Sequence, residues 1–408
     1  MIPEKRSDGK RLRTEFLKPA KHRAPHLFLK GPDKSLSFGR TPVLDVRHRM
    51  PRVGSVMATK SQEVTLIRSR KLNGVAFAAA LAVSACAINN VAIAQDSSVA
   101  AAAKPESSPM SRVAAARKAA RESGEDSRVI GGTPAEEGAW PFQVALLISD
   151  YLDDNPATQL DAQFCGGSLI SPEWVLTAAH CLFEYGEVVD PRGVTVLVGA
   201  THLADGERIQ AAEIIPHESY DPAGFDNDLG LIRLSRSASQ APIKLTPSDV
   251  PRGNAMVTGW GKMADGGFPE NLMQADVELV ANDACNSGIK NIYARDLESL
   301  LRNFSQRMRV SEEGIQNAKA FIVQNMSDPL TGNMICAGVA SGARDACNGD
   351  SGGPLFMNGD GGQVQVGIVS WGEGPLDSNI ACGHENAYGV YTRVANYRDW
   401  IGSKTGVK

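Results

Sequence analysis

An all-β domain is the fold class that the sequence predicts for residues 129–408, and three observations predict it. Short apolar or alternating runs recur at 142–148, 167–176, 194–198, 229–234, 255–259, 364–370 and 388–394, with the length and period of strands. Gly, Pro, Asn and Asp separate them, as turns punctuate a sandwich or barrel. Composition changes at Arg128: all five Trp and six of the seven Cys lie beyond it, so the packed core is expected there.

Two stretches depart from the strand pattern. Leu297, Leu300, Leu301, Phe304 and Met308 recur at helical spacing, and Ile315, Ala318 and Ile322 continue it. Ser311 between the two sets suits a helix cap and Pro329 follows them, so a helical hairpin is expected as an insertion between strands. Tyr397-Arg398-Asp399-Trp400-Ile401 reads as a final helix.

The net charge of −4 hides an asymmetry. Residues 1–71 hold 18 Lys+Arg against 6 Asp+Glu, whereas 129–408 hold 18 against 35. An acidic domain repels nucleic acid, and the basic N-terminal segment lacks the aromatics and motifs of a nucleic-acid arm. No nucleic-acid partner is expected.

Arg68-Ser69-Arg70-Lys71, an apolar run at 72–88 and Val91-Ala92-Ile93-Ala94 have the order of a secretory signal peptide. The run is too short and Ala-rich for a membrane span. We expect 57–94 to be that signal, cut after Ala94, with translation starting at Met57 or less favourably Met50. Residues 1–56 would then be a mis-called upstream extension or a disordered basic segment. Val83-Ser84-Ala85-Cys86 resembles a bacterial lipoprotein box, which would anchor the chain to a membrane through Cys86. Either route exports the domain, secreted to the periplasm or outside the cell, or lipid-anchored.

Residues 95–128 are Ala, Ser, Pro and charge. So little apolar content predicts a flexible propeptide that ends at Arg128, with Val129 opening the folded part. Beyond it stand Cys165, Cys181, Cys285, Cys336, Cys347 and Cys382. An even set in an exported domain suggests disulfides, although sequence alone permits 15 pairings. No CxxC or His-rich cluster suggests a metal site, and no cofactor is expected.

Three motifs carry chemistry. Leu176-Thr177-Ala178-Ala179-His180-Cys181 sets a His after an apolar strand and beside a Cys that could lock its loop. Asp226-Asn227-Asp228-Leu229-Gly230-Leu231-Ile232 opens a buried strand with an Asp that could be aimed at an imidazole. Asp345-Ala346-Cys347-Asn348-Gly349-Asp350-Ser351-Gly352-Gly353-Pro354 surrounds one Ser with Gly, which permits a tight turn that exposes the hydroxyl. A serine hydroxyl is a poor nucleophile until a base takes its proton and a third group orients the base.

Arg-Val-Ile-Gly-Gly at 128–132, Thr-Ala-Ala-His-Cys at 177–181, Asp-Leu-Gly-Leu-Ile at 228–232, Gly-Asp-Ser-Gly-Gly-Pro at 349–354 and Ser-Trp-Gly at 370–372 together resemble the trypsin/chymotrypsin family of serine proteases, in family order. The resemblance implies two six-stranded antiparallel β-barrels with the active site between them, in a bacterial-type exported zymogen. It implies Ser351 as nucleophile, His180 as general base and then acid, and Asp228 as its orienting group; Asp226 matches less well. The amides of Gly349 and Ser351 would form the oxyanion hole. Asp345 would sit at the base of a pocket for Arg or Lys, walled by Gly372 and Gly389, while Ser370, Trp371 and Gly372 would pair with the substrate backbone. Cleavage after Arg128, by another protease or by the enzyme itself, would free the Val129 amine to pair with Asp350. The implied disulfides are Cys165–Cys181, Cys285–Cys336 and Cys347–Cys382.

The chain departs from the family in the long 286–335 loop, which carries the predicted hairpin, and at 373–381, where Glu373 and Asp377 could add charge at the pocket mouth. The loop after Gly199 lacks the carboxylates of calcium-binding members. The alternative is a catalytically inactive or partner-dependent binding module on the same fold, against which stands the retention of all three triad candidates. The expected partners are protein or peptide substrates, and a monomer is expected.

Overall fold

The computed structural model describes residues 108–123, 132–250, 252–263, 266–342, 344–359, 361–376 and 382–408. The chain divides into two units, Met1–Val91 and Ala92–Lys408, and every described residue belongs to the second. The expected extension and signal peptide, Cys86, Arg128, Val129 and Asp377 lie outside the described residues.

Among the described residues, twelve strands close into two barrels. In the first are β1 (Gln143–Ile148), β2 (Gln163–Ser171), β3 (Trp174–Thr177), β4 (Val194–Val198), β5 (Glu207–Pro216) and β6 (Gly230–Leu234), in the order β1-β2-β3-β6-β5-β4. In the second are β7 (Gly253–Gly259), β8 (Met273–Val280), β9 (Met334–Gly338), β10 (Pro354–Gly359), β11 (Gly362–Trp371) and β12 (Gly389–Arg393). Their order, β7-β8-β9-β12-β11-β10, repeats that of the first barrel, and every pairing is antiparallel. Closure removes the free edges that an open sheet of such apolar strands would expose.

Val144, Leu146, Leu176, Val196 and Leu231 fill the first barrel, and Val257, Val277, Leu355, Val366 and Tyr391 fill the second. Most of the predicted runs fall on strands. The structure adds β5, β8, β9 and β10, which the sequence reading passed over. β8 alternates strictly after its first residues, with Ala275, Val277 and Leu279 turned in and Asp276 and Glu278 turned out.

The expected hairpin is α3 (Asn282–Met308) and α4 (Glu312–Gln324), wholly within 286–335 except for the first turn of α3. Ser311 caps α4, its hydroxyl accepting from the Gly314 amide at 3.1 Å. The base of α3 buries Cys285 and Ile289 against Leu330, Met334 and Val390. Leu300, Phe304 and Met308 are helical as predicted, but they face solvent.

One expectation needs correcting. Within 95–128, residues Pro109–Ser123 form a helix, α1, packed on β2 of the first barrel. Met110, Val113, Ala114 and Arg117 are all at most 5% exposed. Their i, i+3, i+4, i+7 spacing is one helical face. Mean composition hid that face because it has only four members and one of them is charged. A short α2 (Thr158–Ala162) lies beside it, and α5 (Arg398–Thr405) closes the chain.

Candidate active site

His180 stands on a tight helical turn directly after β3, and the Cys165–Cys181 disulfide fastens that turn to β2. Asp228 precedes β6 and is fully buried. Its Oδ2 lies 2.7 Å from His180 Nδ1, while Oδ1 accepts the His180 backbone N–H at 2.9 Å. Ser370 Oγ also donates to Oδ2, and Thr392 Oγ1 donates to the Asp228 carbonyl at 2.6 Å. A carboxylate so placed favours the Nδ1–H tautomer, which leaves Nε2 as the acceptor. The competing Asp226 is engaged elsewhere: Thr331 Oγ1 and Asn333 Nδ2 donate to it at 2.6 and 3.2 Å.

Ser351 lies on a turn that only glycine permits. Gly349 and Gly352 have φ of +100° and +81°, and a Cβ at Gly352 would fall 2.1 Å from Thr177 Oγ1. The Gly166 amide donates to the Ser351 carbonyl at 2.7 Å, and Gln163 Nε2 donates to the Gly349 carbonyl at 2.9 Å. Ser351 and His180 line one cleft of about 930 Å³, together with Ser370, Trp371 and Gly372. Phe225, Tyr293 and Glu373 line it as well, with Phe225 edge-on to the His180 ring at 5.8 Å and the Tyr293 hydroxyl donating to Glu373 at 2.7 Å.

A slot of about 60 Å³ opens beside Ser351, walled by Gly372, Gly389, Tyr391 and the Cys347–Cys382 disulfide. A Cβ on Gly372 would meet nothing within 4 Å, whereas one on Gly389 would lie 2.6 Å from Asp345 Oδ1. Asp345 is therefore directly behind the slot wall, although it does not line the slot. Ala346 and Gly383 amides donate to its carboxylate at 2.8 and 3.2 Å. It borders instead a neighbouring cavity of about 40 Å³ shared with Asp350 and Gly132. Tyr391 Oη is buried with no hydrogen-bond partner among the described residues.

Burial pushes Asp345 up to about 7 and Asp350 up to about 6, against backbone amides that pull both down. For Asp350 those donors are the Gly261 and Cys347 amides, at 2.7 and 2.9 Å. The grouping of Cys165, Cys181 and His180 has metal-ligating residue types, but its two sulfurs are joined to each other.

The triad candidates and the glycine turn were legible as motifs, while the three disulfide pairings of the structure were implied only by the family resemblance. Gln163, Thr392, Tyr293 and Arg117 were not legible, because each acts on a residue far away in sequence.

A family model described as Trypsin matches residues 129–401. Transmembrane protease serine 11G of Mus musculus is 32% identical over 290 residues, 69% of this chain and 56% of the relative. Mannan-binding lectin serine protease 1 of Mus musculus is 31% identical over 304 residues, 69% of this chain and 36% of the relative. Transmembrane protease serine 7 of Mus musculus is 34% identical over 288 residues, 67% of this chain and 28% of the relative. The chain thus spans from about a quarter to a little over half of these curated relatives' length. All three are mammalian, so they lend no support to a bacterial type. Among the described residues no helix is long and apolar enough to cross a membrane.

Proposed function

Because the chain belongs to the trypsin family of serine proteases and is a serine endopeptidase, we propose that it is an exported precursor that, once cut after Arg128, hydrolyses peptide bonds following Arg or Lys. The observation that carries this reading is the buried His180–Asp228 contact at 2.7 Å, facing the same cleft as Ser351.

Ser351 Oγ attacks the scissile carbonyl while His180 Nε2 takes its proton. The oxyanion is met by the Gly349 and Ser351 amides. His180 then donates its proton to the leaving amine, and water reverses the sequence on the acyl-enzyme. Asp228 holds the ring and offsets its charge. Ser370, Trp371 and Gly372 pair with the substrate backbone as an added strand. Asp345 favours a cationic side chain in the slot, because an apolar one would leave the carboxylate unpaired.

For activation, the position of Gly132 on the Asp350 cavity is supporting evidence. Three residues reach about 10 Å when extended, so the Val129 amine would enter the cavity from Gly132. There it would neutralise Asp350 and let the Asp345 side of the slot settle around substrate. Residues 57–94 act as the export signal, and the substrates are exported proteins or peptides.

The test is hydrolysis of short Arg-, Lys- and Phe-nitroanilides before and after brief trypsin treatment, with the trypsin then inhibited. Activity that appears only after the cut, and only on Arg or Lys, is the expected result. Turnover of Phe without Arg would overturn the pocket assignment, and silence after a verified cut would favour a partner-dependent module.

A further inference from the structure

α1 lies where a substrate should leave. The residue before the cleaved bond enters the slot by Gly372 and Gly389, so the residues after it run the other way from Ser351, over Gly349 and β2. That side is occupied. Ser108, Pro109 and Arg112 line the catalytic cleft beside His180 and Ser351. Val113 Cγ1 is 3.5 Å from where a Cβ of Gly349 would be. Further along, α1 packs on β2, α2 and the His180 turn.

We propose that α1 is an inhibitor carried in cis, seated on the leaving-group side of the cleft, so that cleavage after Arg128 completes activation only when the helix departs. The proposal rests on the protease reading above and adds its regulation.

The seat has a specific anchor. Arg117 is 3% exposed, donates to the Trp260 carbonyl, and lies 4.6 Å from the Phe268 ring centroid. Burial pulls its pKa down to about 9, while the charges of Asp350 and Asp161 pull it back up. It therefore stays cationic at neutral pH. Arg121 adds an outer ion pair to Asp161 at 2.7 Å. Yet Arg117 Nε is buried with no hydrogen-bond partner among the described residues, so the fit there is incomplete, as a helix that must later leave requires.

That anchor couples release to cleavage. Asp350 is a charge partner of Arg117 in the uncut chain and the proposed partner of the Val129 amine in the cut one. When the amine arrives, Arg117 loses part of the field that compensates its burial, and a poorly compensated buried charge is expensive. Cleavage thus weakens α1 binding without touching the helix itself.

The experiment uses the full chain with an engineered enteropeptidase site ending at position 128. In the uncut chain, amides 112–120 should exchange at least a hundredfold more slowly than in an unstructured peptide. After the cut and dialysis, a synthetic peptide of residues 108–123 should inhibit the enzyme. Inhibition should be stronger on a quenched peptide with four residues beyond the cleaved bond than on a nitroanilide. The same peptide carrying Arg117→Ala should be at least tenfold weaker, and the Arg117→Ala chain should reach full activity without a lag. Exchange at the unstructured rate, or equal inhibition of both substrates, overturns the proposal. Should the cut enzyme turn over nothing, anisotropy of the labelled peptide separates the two readings. Binding that Arg117→Ala abolishes supports the α1 seat while overturning the reading of a protease that acts without a partner, and absence of binding refutes the α1 seat.

Discussion

At the residue scale the decisive feature is one carboxylate with several donors. Asp228 receives the imidazole, a backbone amide and the Ser370 hydroxyl while shut off from water, and Asp226 two positions earlier turns its carboxylate instead to the segment before β9 and to Asn227. Asp228→Asn should therefore lower kcat on an Arg-nitroanilide by about 10⁴-fold, whereas Asp226→Asn should leave kcat within a few-fold. Equal losses would show that the segment's fold, not the imidazole's tautomer, is at stake. The motif offered both Asp residues and the family resemblance preferred Asp228, which is the one the structure sets against His180.

The two raised carboxyls give a second prediction at this scale. A group whose folded pKa exceeds its unfolded value contributes stability that is complete below the unfolded value, near 4, and lost as pH rises through the folded one. For Asp350 and Asp345 the loss runs up through about 6 and about 7. The uncut chain should therefore melt at a lower temperature at pH 8 than at pH 5, by on the order of 2–4 °C for each kcal/mol lost. The cut chain should lose less, because the Val129 amine would hold Asp350 ionised. Glu218 and Asp190, held near 2 by Lys404 and Arg192 respectively, lose their contributions only in stronger acid, outside this window. Calorimetry at the two pH values checks it, and identical slopes for cut and uncut chain would remove the amine from the Asp350 cavity.

At the scale of elements, periodicity worked where side chains were large and failed where they were small or interrupted. Runs of Val, Leu and Ile announced β4 and β6, whereas β8 alternates Ala and Val with acidic residues and α1 presents a face of only Met110, Val113, Ala114 and the charged Arg117. Periodicity also could not say what a helical stripe touches. The α3 stripe contains Phe304 and Met308, 58% and 70% exposed, in a hairpin whose turns are joined by Glu298 to Arg302 and Lys319. Exposed pairs of that kind contribute little, because water screens them and two long side chains must be ordered. The hairpin is therefore held mainly at its base, where Cys285–Cys336 closes a sequence separation of 51. Phe304→Glu with Met308→Glu should leave stability within about 0.5 kcal/mol, while Cys285→Ala with Cys336→Ala should lose about 4 kcal/mol on a loop-entropy estimate. Chemical unfolding of both variants checks the contrast. A large loss from the two Glu substitutions would mean that the tip is packed.

At the scale of the whole molecule, the catalytic groups belong to different barrels. His180 and Asp228 come from the first, Ser351 and Ser370 from the second, so their geometry is set by how the barrels dock. Besides the bonds at the triad itself, two buried side-chain to side-chain bonds cross that interface among the described residues: Thr258 Oγ1 donates to Gln143 Oε1 at 2.6 Å, and Ser168 Oγ donates to Gln365 Oε1 at 2.7 Å. Around them Phe142 and Phe356 meet edge to face at 5.2 Å. No motif announces such contacts, since Gln and Thr read as surface residues until the topology buries them. Thr258→Val keeps the shape and removes the donor, leaving Gln143 Oε1 unsatisfied at a cost of about 1–3 kcal/mol. Gln143→Leu in addition removes the orphaned acceptor, so the double variant should be more stable than Thr258→Val alone. Because the interface fixes the distance between the two halves of the triad, Thr258→Val should lower kcat more than it raises KM, and the second substitution should recover part of kcat. A double-mutant cycle in stability and in kcat decides it. Strict additivity in both would mean that the apolar ring around this pair, and not the hydrogen bond, holds the two barrels in catalytic register.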